Sequence, residues 1–421
     1  MYKIEKIEIE GFWHRFDAVG QFSPDVNIII GKNGTGKTTF MNIMHAILSA
    51  DATALAENEF DSARVTLIKG NRRRTIKVTK VEDGHYPFPW VEYQISQRKY
   101  RLRLIDFEER RYPSSVRHRI QEESSIIRNE LEKLVSVTSL SVYRLRHDDD
   151  YEVRDVRGTR IVSPVDYRLG QALRGLTQYQ LELSQKAREI SSTLQSDVLA
   201  SILYGEEDAK DIGYELNFDK FEEQARLTSA YAQLNSINAE IRKKIRFHVN
   251  SIDETINNIT KDNKSKQTRK GIDIKSLEAL RKTRRIIDLS LKAKNKTQEI
   301  YSQIEIFIRI IKKFISDKDF DFDGGRLVIK TSDGPISHER LSSGEKQLII
   351  LMIEALLQGR QPHIFLADEP ELSLHIAWQR MVIPAVMEIN PNAQIIAATH
   401  SPEVASKYPN AIFDMESLVN G

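Results

Sequence analysis

The sequence contains no cysteine and no long apolar run. The absence of cysteine excludes disulfides, thiolate metal sites and cysteine nucleophiles in this chain. No segment approaches the roughly 18 apolar residues of a membrane-spanning helix, and residues 1–5 alternate apolar and charged side chains, unlike the apolar core of a signal peptide. The formal net charge is only +2, from 62 basic and 60 acidic residues, so overall charge selects no partner. These absences favour a cytoplasmic chain with no membrane partner.

A glycine-rich stretch at residues 31–38 fits the pattern G-x-x-x-x-G-K-[ST] and directly follows the apolar run Val26–Ile30. A buried strand, a glycine-rich turn and a helix are the context that this phosphate-binding motif requires. Glycines let the backbone wrap a phosphate, and N–H groups then point at it from the positive end of the helix. We expect Lys37 to reach the β- and γ-phosphates and the Thr38 hydroxyl to ligate Mg²⁺. The chain is therefore predicted to bind a nucleoside triphosphate through Asn33, Gly34, Thr35, Gly36, Lys37, Thr38 and Thr39.

Residues 1–150 are predicted to form strands around a first helix. The predicted strands are Lys3–Glu10, Val26–Ile30, Ala63–Ile68, Thr75–Val81, Val91–Ile105 and Val135–Val142, and the predicted helices are Thr38–Ala50 and Pro113–Leu134. Turn residues separate the period-2 runs between 63 and 105, which indicates antiparallel hairpins. This segment is interpreted as the N-terminal half of a nucleotide-binding domain.

Residues 151–320 are predicted to form a helical, coiled-coil-like insertion. Apolar residues recur every three or four positions over 164–203, 219–260 and 273–316. Between 240 and 300 there are 17 Lys and Arg against 8 Asp and Glu. This excess has three interpretations: contact with the phosphates of DNA or RNA, docking of an acidic partner protein, or a solvated helical face.

Residues 321–421 are predicted to return to α/β structure with three further motifs. The stretch 341–347 opens a helix with Ser342 as its cap, and alone it would be an ordinary capped helix. A buried strand at His363–Ala367 leads into Asp368 and Glu369, a pair that in isolation more often belongs to a turn. A strand at Gln394–Ala398 precedes His400, and a lone histidine there is more often structural.

In combination these motifs supply what the glycine-rich loop needs. Asp368 suits Mg²⁺ and its waters, and Glu369 suits polarising an attacking water. His400 lies where it would sense a γ-phosphate. Lys37, Glu369 and His400 are therefore the predicted catalytic residues, and Thr38 and Asp368 are the predicted metal ligands.

The order of these motifs resembles the ATP-binding-cassette (ABC) ATPase superfamily, in the branch that contains SMC, RecF and OLD-type proteins. The resemblance covers about residues 1–50 and 325–415. Residues 341–347 and 368–375 are most similar to OLD-type ATPases of bacterial phage-defence systems, including the PtuA-like subunits of Septu and retron systems and the ATPase subunit of PARIS. The resemblance implies an α/β fold, in which a P-loop NTPase head of the ABC type carries antiparallel β hairpins and the helical insertion.

The resemblance also implies a homodimer or higher homo-oligomer that holds ATP between two heads. The loop around Lys37 would bind ATP in one subunit, and Ser342 and Gly344 would close over the γ-phosphate from the other. Glu345 is also a predicted nucleotide-binding residue. Arg15 lies in a stretch similar to the N-F-R-x-F of this branch, which would place it near the phosphates.

One family residue, the glutamine that contacts magnesium, has no unique position here. Gln94 is one candidate, and the segment 135–146 is the other. Arg144 and Arg146 in that segment would either contact phosphate or nucleic acid, or be exposed charges.

Three functions remain as hypotheses. OLD-type nucleases continue into a Toprim domain with clustered carboxylates, which the sequence after His400 does not contain. The first hypothesis is therefore an ATPase of an anti-phage defence system that controls a separate effector, with a nuclease expected. The second is a RecF-like or SMC-like ATPase of DNA repair that binds DNA through the basic insertion. The third, the nucleotide-binding subunit of a membrane transporter, does not explain the insertion.

Overall fold

The computed structural model describes residues 1–81, 89–104, 114–139, 152–155, 158–161, 163–201, 203, 217–234, 236–262 and 274–420. The chain divides into two compact units, one made of Met1–Thr177 with Ile304–Gly421 and the other of Gln178–Gln303. The domain boundaries drawn at 150 and 320 from the sequence stay a prediction.

The strands are numbered in chain order. They are β1 Lys3–Phe12, β2 Phe16–Gln21, β3 Val26–Ile30, β4 Ser62–Lys69, β5 Arg72–Val81, β6 Trp90–Ile95, β7 Arg98–Arg103, β8 Val137–Ser139, β9 Glu152–Asp155, β10 Gly158–Ile161, β11 Asp319–Asp323, β12 Arg326–Thr331, β13 Gly334–Ile336, β14 Ile364–Asp368, β15 Gln394–Ala398, β16 Ile412–Asp414 and β17 Val419–Asn420.

The α-helices are numbered in the same way. They are α1 Lys37–Ser49, α2 Ala52–Glu57, α3 Ser114–Glu132, α4 Pro164–Ala200, α5 Lys220–Gln233, α6 Ala239–Asp262, α7 Ile274–Phe314, α8 Ser343–Leu357, α9 Ile376–Ile389, α10 Pro402–Ala405 and α11 Met415–Leu418. Short 3₁₀ helices lie at His338–Arg340 and Pro409–Ala411.

Seven strands of the first unit form an antiparallel sheet in the order β17-β2-β1-β4-β5-β6-β7. Ile4, Ile7 and Ile9 of β1 are buried, and a register shift against β4 between Ile4 and Lys6 accounts for the one break in their alternation. The strand predicted at Lys3–Glu10 is therefore confirmed.

The single long strand predicted at Val91–Ile105 is wrong. The structure divides it into β6 and β7, which pair antiparallel across a two-residue turn at Ser96 and Gln97. Ser96 has a φ of 57°, a left-handed conformation that turns usually assign to Gly, Asn or Asp. Because neither turn residue is one of these, the sequence carried no signal for the hairpin.

A second sheet of the first unit is fully parallel, in the order β16-β3-β15-β14-β8. The strands β3, β14 and β15 are apolar and almost entirely buried, as parallel strands covered on both faces must be. Helix α1 shares one hydrophobic core with both sheets, through side chains that include Phe40, Ile43 and Ile47. Since the strands run in one direction, the segments that follow β3, β14 and β15 meet at one edge of the sheet. The predicted α/β fold, a P-loop head with antiparallel hairpins, is confirmed.

The buried amide of Gln394 joins the two sheets. Its Oε1 accepts from Ile4 N at 2.7 Å, and its Nε2 donates to Ile4 O at 2.7 Å and to Ser23 O at 2.8 Å. A fully buried polar side chain is tolerated because its amide oxygen and nitrogen both have partners. The contact fixes β1 of the antiparallel sheet to the first residue of β15.

The second unit is helical. Leu227, Ala230, Ile245, Val249 and Ile287 form its buried cluster. The one continuous helical segment predicted over 219–260 is wrong, because it is divided into α5 and α6. The Asn238 side chain accepts from Ile241 N at 2.8 Å, and this cap starts a new helix. Across the described residues, none of the helices has the length and apolar content needed to span a bilayer.

The last parallel strand, β16, is short because a helix begins directly after it. β16 covers only Ile412–Asp414, and the Asp414 side chain accepts from Glu416 N at 3.0 Å to begin α11. The N-cap therefore ends the strand and redirects the chain.

Burial of His363 predicts a dependence of stability on pH. Its Nε2 lies 2.8 Å from Thr138 Oγ1, and burial lowers its pKa to about 4. In the unfolded chain His363 takes up a proton near pH 6.5, whereas in the folded chain it stays neutral. The free energy of unfolding therefore falls by about 1.4 kcal/mol per pH unit as the pH drops from about 6.5 to about 4. This stability is fully present above about pH 6.5. Urea unfolding at pH 7.5 and at pH 5 measures how much unfolding free energy the protein loses in acid. We expect this loss to be smaller by about 2 kcal/mol in His363→Gln, which retains a polar atom near the Nε2 position, than in the wild type. Equal losses would contradict the assignment.

Candidate functional site

The glycine-rich loop lies between β3 and α1 at the carboxyl edge of the parallel sheet. Gly36 has a φ of 94°, and a Cβ atom there would lie 2.9 Å from ring atoms of Phe12 and Trp13. Both the conformation and the close approach therefore require glycine. Asn33 and Gly34 are exposed at the tip of the loop.

Helix α1 begins at Lys37 and has no side-chain cap. The first hydrogen bond of the helix runs from Phe40 N to Gly36 O at 2.8 Å. The N–H groups of Lys37, Thr38 and Thr39 precede it at the positive end of the helix dipole. An uncapped helix start that follows a glycine-rich loop fits the phosphates of a nucleotide.

Lys37 is buried, and its ammonium group lies within the loop. The Nζ donates to Gly31 O at 2.8 Å and to Lys32 O at 3.0 Å, which closes the loop around the cation. Burial lowers the pKa of Lys37, and the charges of nearby Glu369, Asp368 and Glu371 oppose that lowering. Three carboxylates therefore lie near enough to Lys37 to favour its charged form.

Thr38 and Asp368 are brought together from opposite ends of the sequence. Asp368 is the last residue of β14, and Thr38 Oγ1 lies 3.0 Å from its Oδ2 and 3.3 Å from its Oδ1. Over the described ranges, no group of three or more His, Asp or Glu side chains could hold a metal ion. The hydroxyl and carboxylate oxygens fit Mg²⁺, which keeps several waters and uses one or two protein ligands together with substrate phosphates.

Glu369 and His400 face each other beside this pair. Glu369 N donates to Ala398 O at 2.8 Å, so the residues that follow β14 and β15 are held side by side. His400 Nε2 lies 3.5 Å from Glu369 Oε1, and both side chains are partly exposed. Glu369 has a φ of 48°, a conformation that is strained for a non-glycine residue and that often marks a functional site.

The residues 342–345 lie elsewhere on the first unit. Ser342 caps α8, and its side chain and that of Glu345 form a capping box. A Cβ atom on Gly344 would lie 2.5 Å from Ser373 O, so the start of α8 packs on the segment between β14 and α9. Within the described part of the chain, no hydrogen bond or ion pair joins Ser342, Gly344 or Glu345 to residues 31–38.

Glu345 has a structural role that the sequence did not predict. Its Oε2 accepts from Ser342 N at 2.8 Å, and its Oε1 lies 2.7 Å from Lys318 Nζ. Burial raises the pKa of Glu345, but the bonds from Lys318 and Ser342 outweigh burial and hold it below its usual value. Both oxygens are engaged within the chain, and the predicted nucleotide contact of Glu345 stays a prediction.

Arg15 is exposed in the turn between β1 and β2. The same turn approaches the glycine-rich loop through Trp13, whose ring limits the space at Gly36. The Nδ1 atom of His14, which lies between Trp13 and Arg15, is 3.5 Å from Asp61 Oδ1. The contact of Trp13 with Gly36 was not predicted, because no local pattern around Trp13 indicates it.

Gln94 lies in β6 of the antiparallel sheet, where its Nε2 donates to Ser96 O at 3.1 Å. The alternative segment begins with β8, which pairs parallel with β14 and therefore points toward the edge that carries Asp368. Arg144 and Arg146 lie outside the described residues.

Glu371 is a further residue near this site, and the sequence indicated it only as part of the stretch 368–375. Glu371 is buried between β14 and α9 and accepts hydrogen bonds from the turn that contains His400. No local pattern indicates this contact, because its partners lie about 30 residues away.

The chain is similar to known ATPases. The family model described as "AAA ATPase domain" matches residues 2–405. The chain is 37% identical to Septu protein PtuA of Bacillus thuringiensis in an alignment 106 residues long that covers 22% of this chain and 26% of PtuA. It is 33% identical to the Retron Ec83 probable ATPase of Escherichia coli in an alignment 89 residues long that covers 18% of this chain and 16% of that protein. The chain therefore spans about a quarter or less of the curated relatives it matches. The predicted likeness to ATPases of Septu and retron systems is confirmed.

Solved SMC head domains are also similar to the chain. The head of Pyrococcus furiosus, bound to the C-terminal domain of ScpA, has a TM-score of 0.42 and 15% identity over 96% of this chain and 92% of that one. The head of Thermotoga maritima has a TM-score of 0.37 and 13% identity over 96% and 91% of the two chains. On the match over residues 2–405, this chain belongs to the AAA ATPase domain family.

Proposed function

We propose that this chain binds and hydrolyses ATP and that it serves as the sensor and scaffold subunit of a prokaryotic anti-phage defence system. The ATPase part rests on one observation, that five side chains converge at one edge of the parallel sheet. They are Lys37, the pair Thr38–Asp368 and the pair Glu369–His400. These five side chains come from segments more than 300 residues apart in the sequence.

The residues divide the work of hydrolysis between them. Lys37 and the N–H groups at the start of α1 would hold the phosphates of ATP. Thr38 and Asp368 would hold Mg²⁺, which neutralises phosphate charge when bound. Glu369 would orient the attacking water and accept its proton, and His400 would contact the γ-phosphate.

A second copy of the chain would complete the site. Ser342 and Ser343 are exposed at the start of an α-helix and are not bonded to the phosphate loop of their own chain. In a head-to-tail homodimer, this helix start would face the γ-phosphate held by the other subunit. ATP would then stabilise the dimer, and hydrolysis would release it.

The defence role draws on the relatives. By their names, Septu protein PtuA and the Retron Ec83 probable ATPase belong to two defence systems. We infer that this chain controls a separate effector, a nuclease encoded nearby, while ATP sets the state of the complex.

A phage-protection assay tests this role. The chain would be expressed with its operon neighbour, alone, and as Glu369→Gln with and without that neighbour. Glu416→Gln, an exposed exchange of the same type, serves as the control. Protection is expected only when an intact chain and its neighbour are both present. Protection by Glu369→Gln without the neighbour would contradict the proposal.

The second candidate function is direct binding of nucleic acid by α6. Arg242, Lys243 and Arg246 are exposed, and Phe247 on the same helix is 75% exposed. Arg281 and Lys282, also in the basic segment, have interactions within the chain. Exposed cations on one helix suit contact with the phosphates of a duplex.

A salt titration tests this candidate. Arg242→Ala with Lys243→Ala should weaken duplex binding and lower the slope of log affinity against log salt by about 0.9 per lost phosphate contact. Lys407→Ala, an exposed cation of the first unit, is the control. Failure of the wild type to bind at low salt would exclude the candidate.

A further inference from the structure

A buried carboxylate joins the segment that carries Glu369 to the turn that carries His400. Glu371 is 9% exposed, and its Oε1 accepts from the Thr399 hydroxyl, from His400 N at 3.2 Å and from Ser401 N at 3.3 Å. Three donors of one turn therefore converge on a single oxygen. Because the Glu371 Oε1 atom is an acceptor within reach of all three donors, it is suited to hold such a turn.

The same short segment carries Glu369. Leu372 N donates to Glu369 O at 3.0 Å and Leu374 N donates to Glu371 O at 2.8 Å, so the backbone from 369 to 374 folds on itself. The side chain of Glu371 then joins this folded segment to the turn of His400. The separation of 3.5 Å between His400 Nε2 and Glu369 Oε1 is fixed across this link.

The turn is held from a second side as well. Thr399 N donates to Ile29 O at 3.0 Å, and Ser401 Oγ donates to Gln379 Oε1 at 2.7 Å. Neither contact fixes the backbone N–H of His400, which has Glu371 as its acceptor. Loss of Glu371 would therefore free the residue that carries the imidazole while the ends of the turn stay anchored.

We propose that Glu371 is a positioning residue that holds His400 against Glu369. This role rests on the proposed ATPase function. It depends on where the Glu371 side chain holds the turn and not on the charge of that side chain. Glu371 acts through His400: its Oε1 is occupied by backbone and hydroxyl donors, and its Oε2 is buried without a hydrogen-bond partner among the described residues. The start of α8 packs on the same segment at Ser373, so the segment joins three of the predicted motifs.

Two substitutions separate geometry from charge. Glu371→Gln keeps the length of the side chain and an oxygen acceptor but removes the charge. Glu371→Asp keeps the charge but is one methylene too short to reach the turn. A positioning role predicts that Glu371→Gln retains at least about a third of kcat, whereas Glu371→Asp loses at least about tenfold, with KM for ATP within about threefold in both.

Deuterium exchange supplies a readout that does not need ATP turnover. In the nucleotide-free protein, the amides of His400 and Ser401 should exchange at the wild-type rate in Glu371→Gln and at least about tenfold faster in Glu371→Asp. Glu416→Gln, the same substitution at an exposed position outside this turn, is the control.

The outcomes distinguish the two proposals. The reverse order of activities, with Glu371→Asp active and Glu371→Gln inactive, would overturn the positioning role and assign the function to charge. Unchanged exchange in Glu371→Asp would also overturn it. A wild type that binds no ATP, with the exchange pattern as predicted, would refute the ATPase function and leave the contact between Glu371 and the turn intact.

Discussion

Replacing Lys37 with alanine is expected to abolish ATP binding. The Lys37 ammonium is buried inside the loop and bonds to two loop carbonyls, so it is already oriented where phosphate oxygens would lie. Charge-assisted hydrogen bonds contribute about 1.5–3 kcal/mol each, and loss of the contacts to two phosphates should weaken binding by at least about a hundredfold. Equilibrium binding of a fluorescent ATP analogue in the presence of Mg²⁺ measures the effect.

The control for this variant is Lys407→Ala, which removes an exposed cation of the same unit. It should bind the analogue as the wild type does. Urea unfolding of Lys37→Ala establishes that the fold persists. Wild-type affinity in a folded Lys37→Ala would mean that the nucleotide binds away from the glycine-rich loop.

Replacing Glu369 with glutamine is expected to stop turnover while ATP stays bound. Glutamine is nearly isosteric and keeps a polar contact with His400, but it cannot accept the proton of the attacking water. General-base catalysis contributes about 100- to 10,000-fold, so kcat should fall by at least about a hundredfold. ATP affinity should remain within about threefold, because Lys37, Thr38 and Asp368 are unchanged.

Phosphate release and nucleotide content measure these two effects separately. After incubation with ATP and Mg²⁺, the isolated Glu369→Gln protein should contain ATP, whereas the wild type should contain ADP. Turnover by Glu369→Gln at the wild-type rate would show that another residue activates the water. Loss of binding would instead assign Glu369 to the nucleotide pocket.

Local patterns account for the parts of this protein that the sequence predicts well. The strands β3, β14 and β15 are continuous apolar runs, and the loop between Gly31 and Thr38 follows a fixed spacing of glycines and a lysine. Each of these signals lies within a few residues of the element that it specifies. Order along the chain then suffices to bring Asp368 and Thr38 to one sheet edge.

Contacts between distant segments account for what the sequence did not predict. Trp13 closes on Gly36, and Glu371 holds the turn at His400, but neither residue carries a local pattern that names its partner. The hairpin at Ser96 was missed for a related reason, since a serine in a left-handed conformation gives no turn signal. Tertiary packing therefore determines these three features.

The same distinction applies to Ser342 and Gly344. The sequence places both in a motif that would contact nucleotide, while the structure uses them to start α8 and to pack it on Ser373. In the proposed head-to-tail dimer the two roles are compatible, because a second subunit would present its own α8 to the nucleotide. The proposed nucleotide site therefore requires assembly of two copies of the chain as well as the residues that line the loop.

Light scattering of Glu369→Gln with and without ATP and Mg²⁺ tests the central claim most directly. The account predicts that saturating ATP raises the molar mass at least twofold over the nucleotide-free protein and that Lys37→Ala in the same chain prevents the increase. An unchanged mass in the presence of bound ATP would contradict the claim that ATP joins two heads.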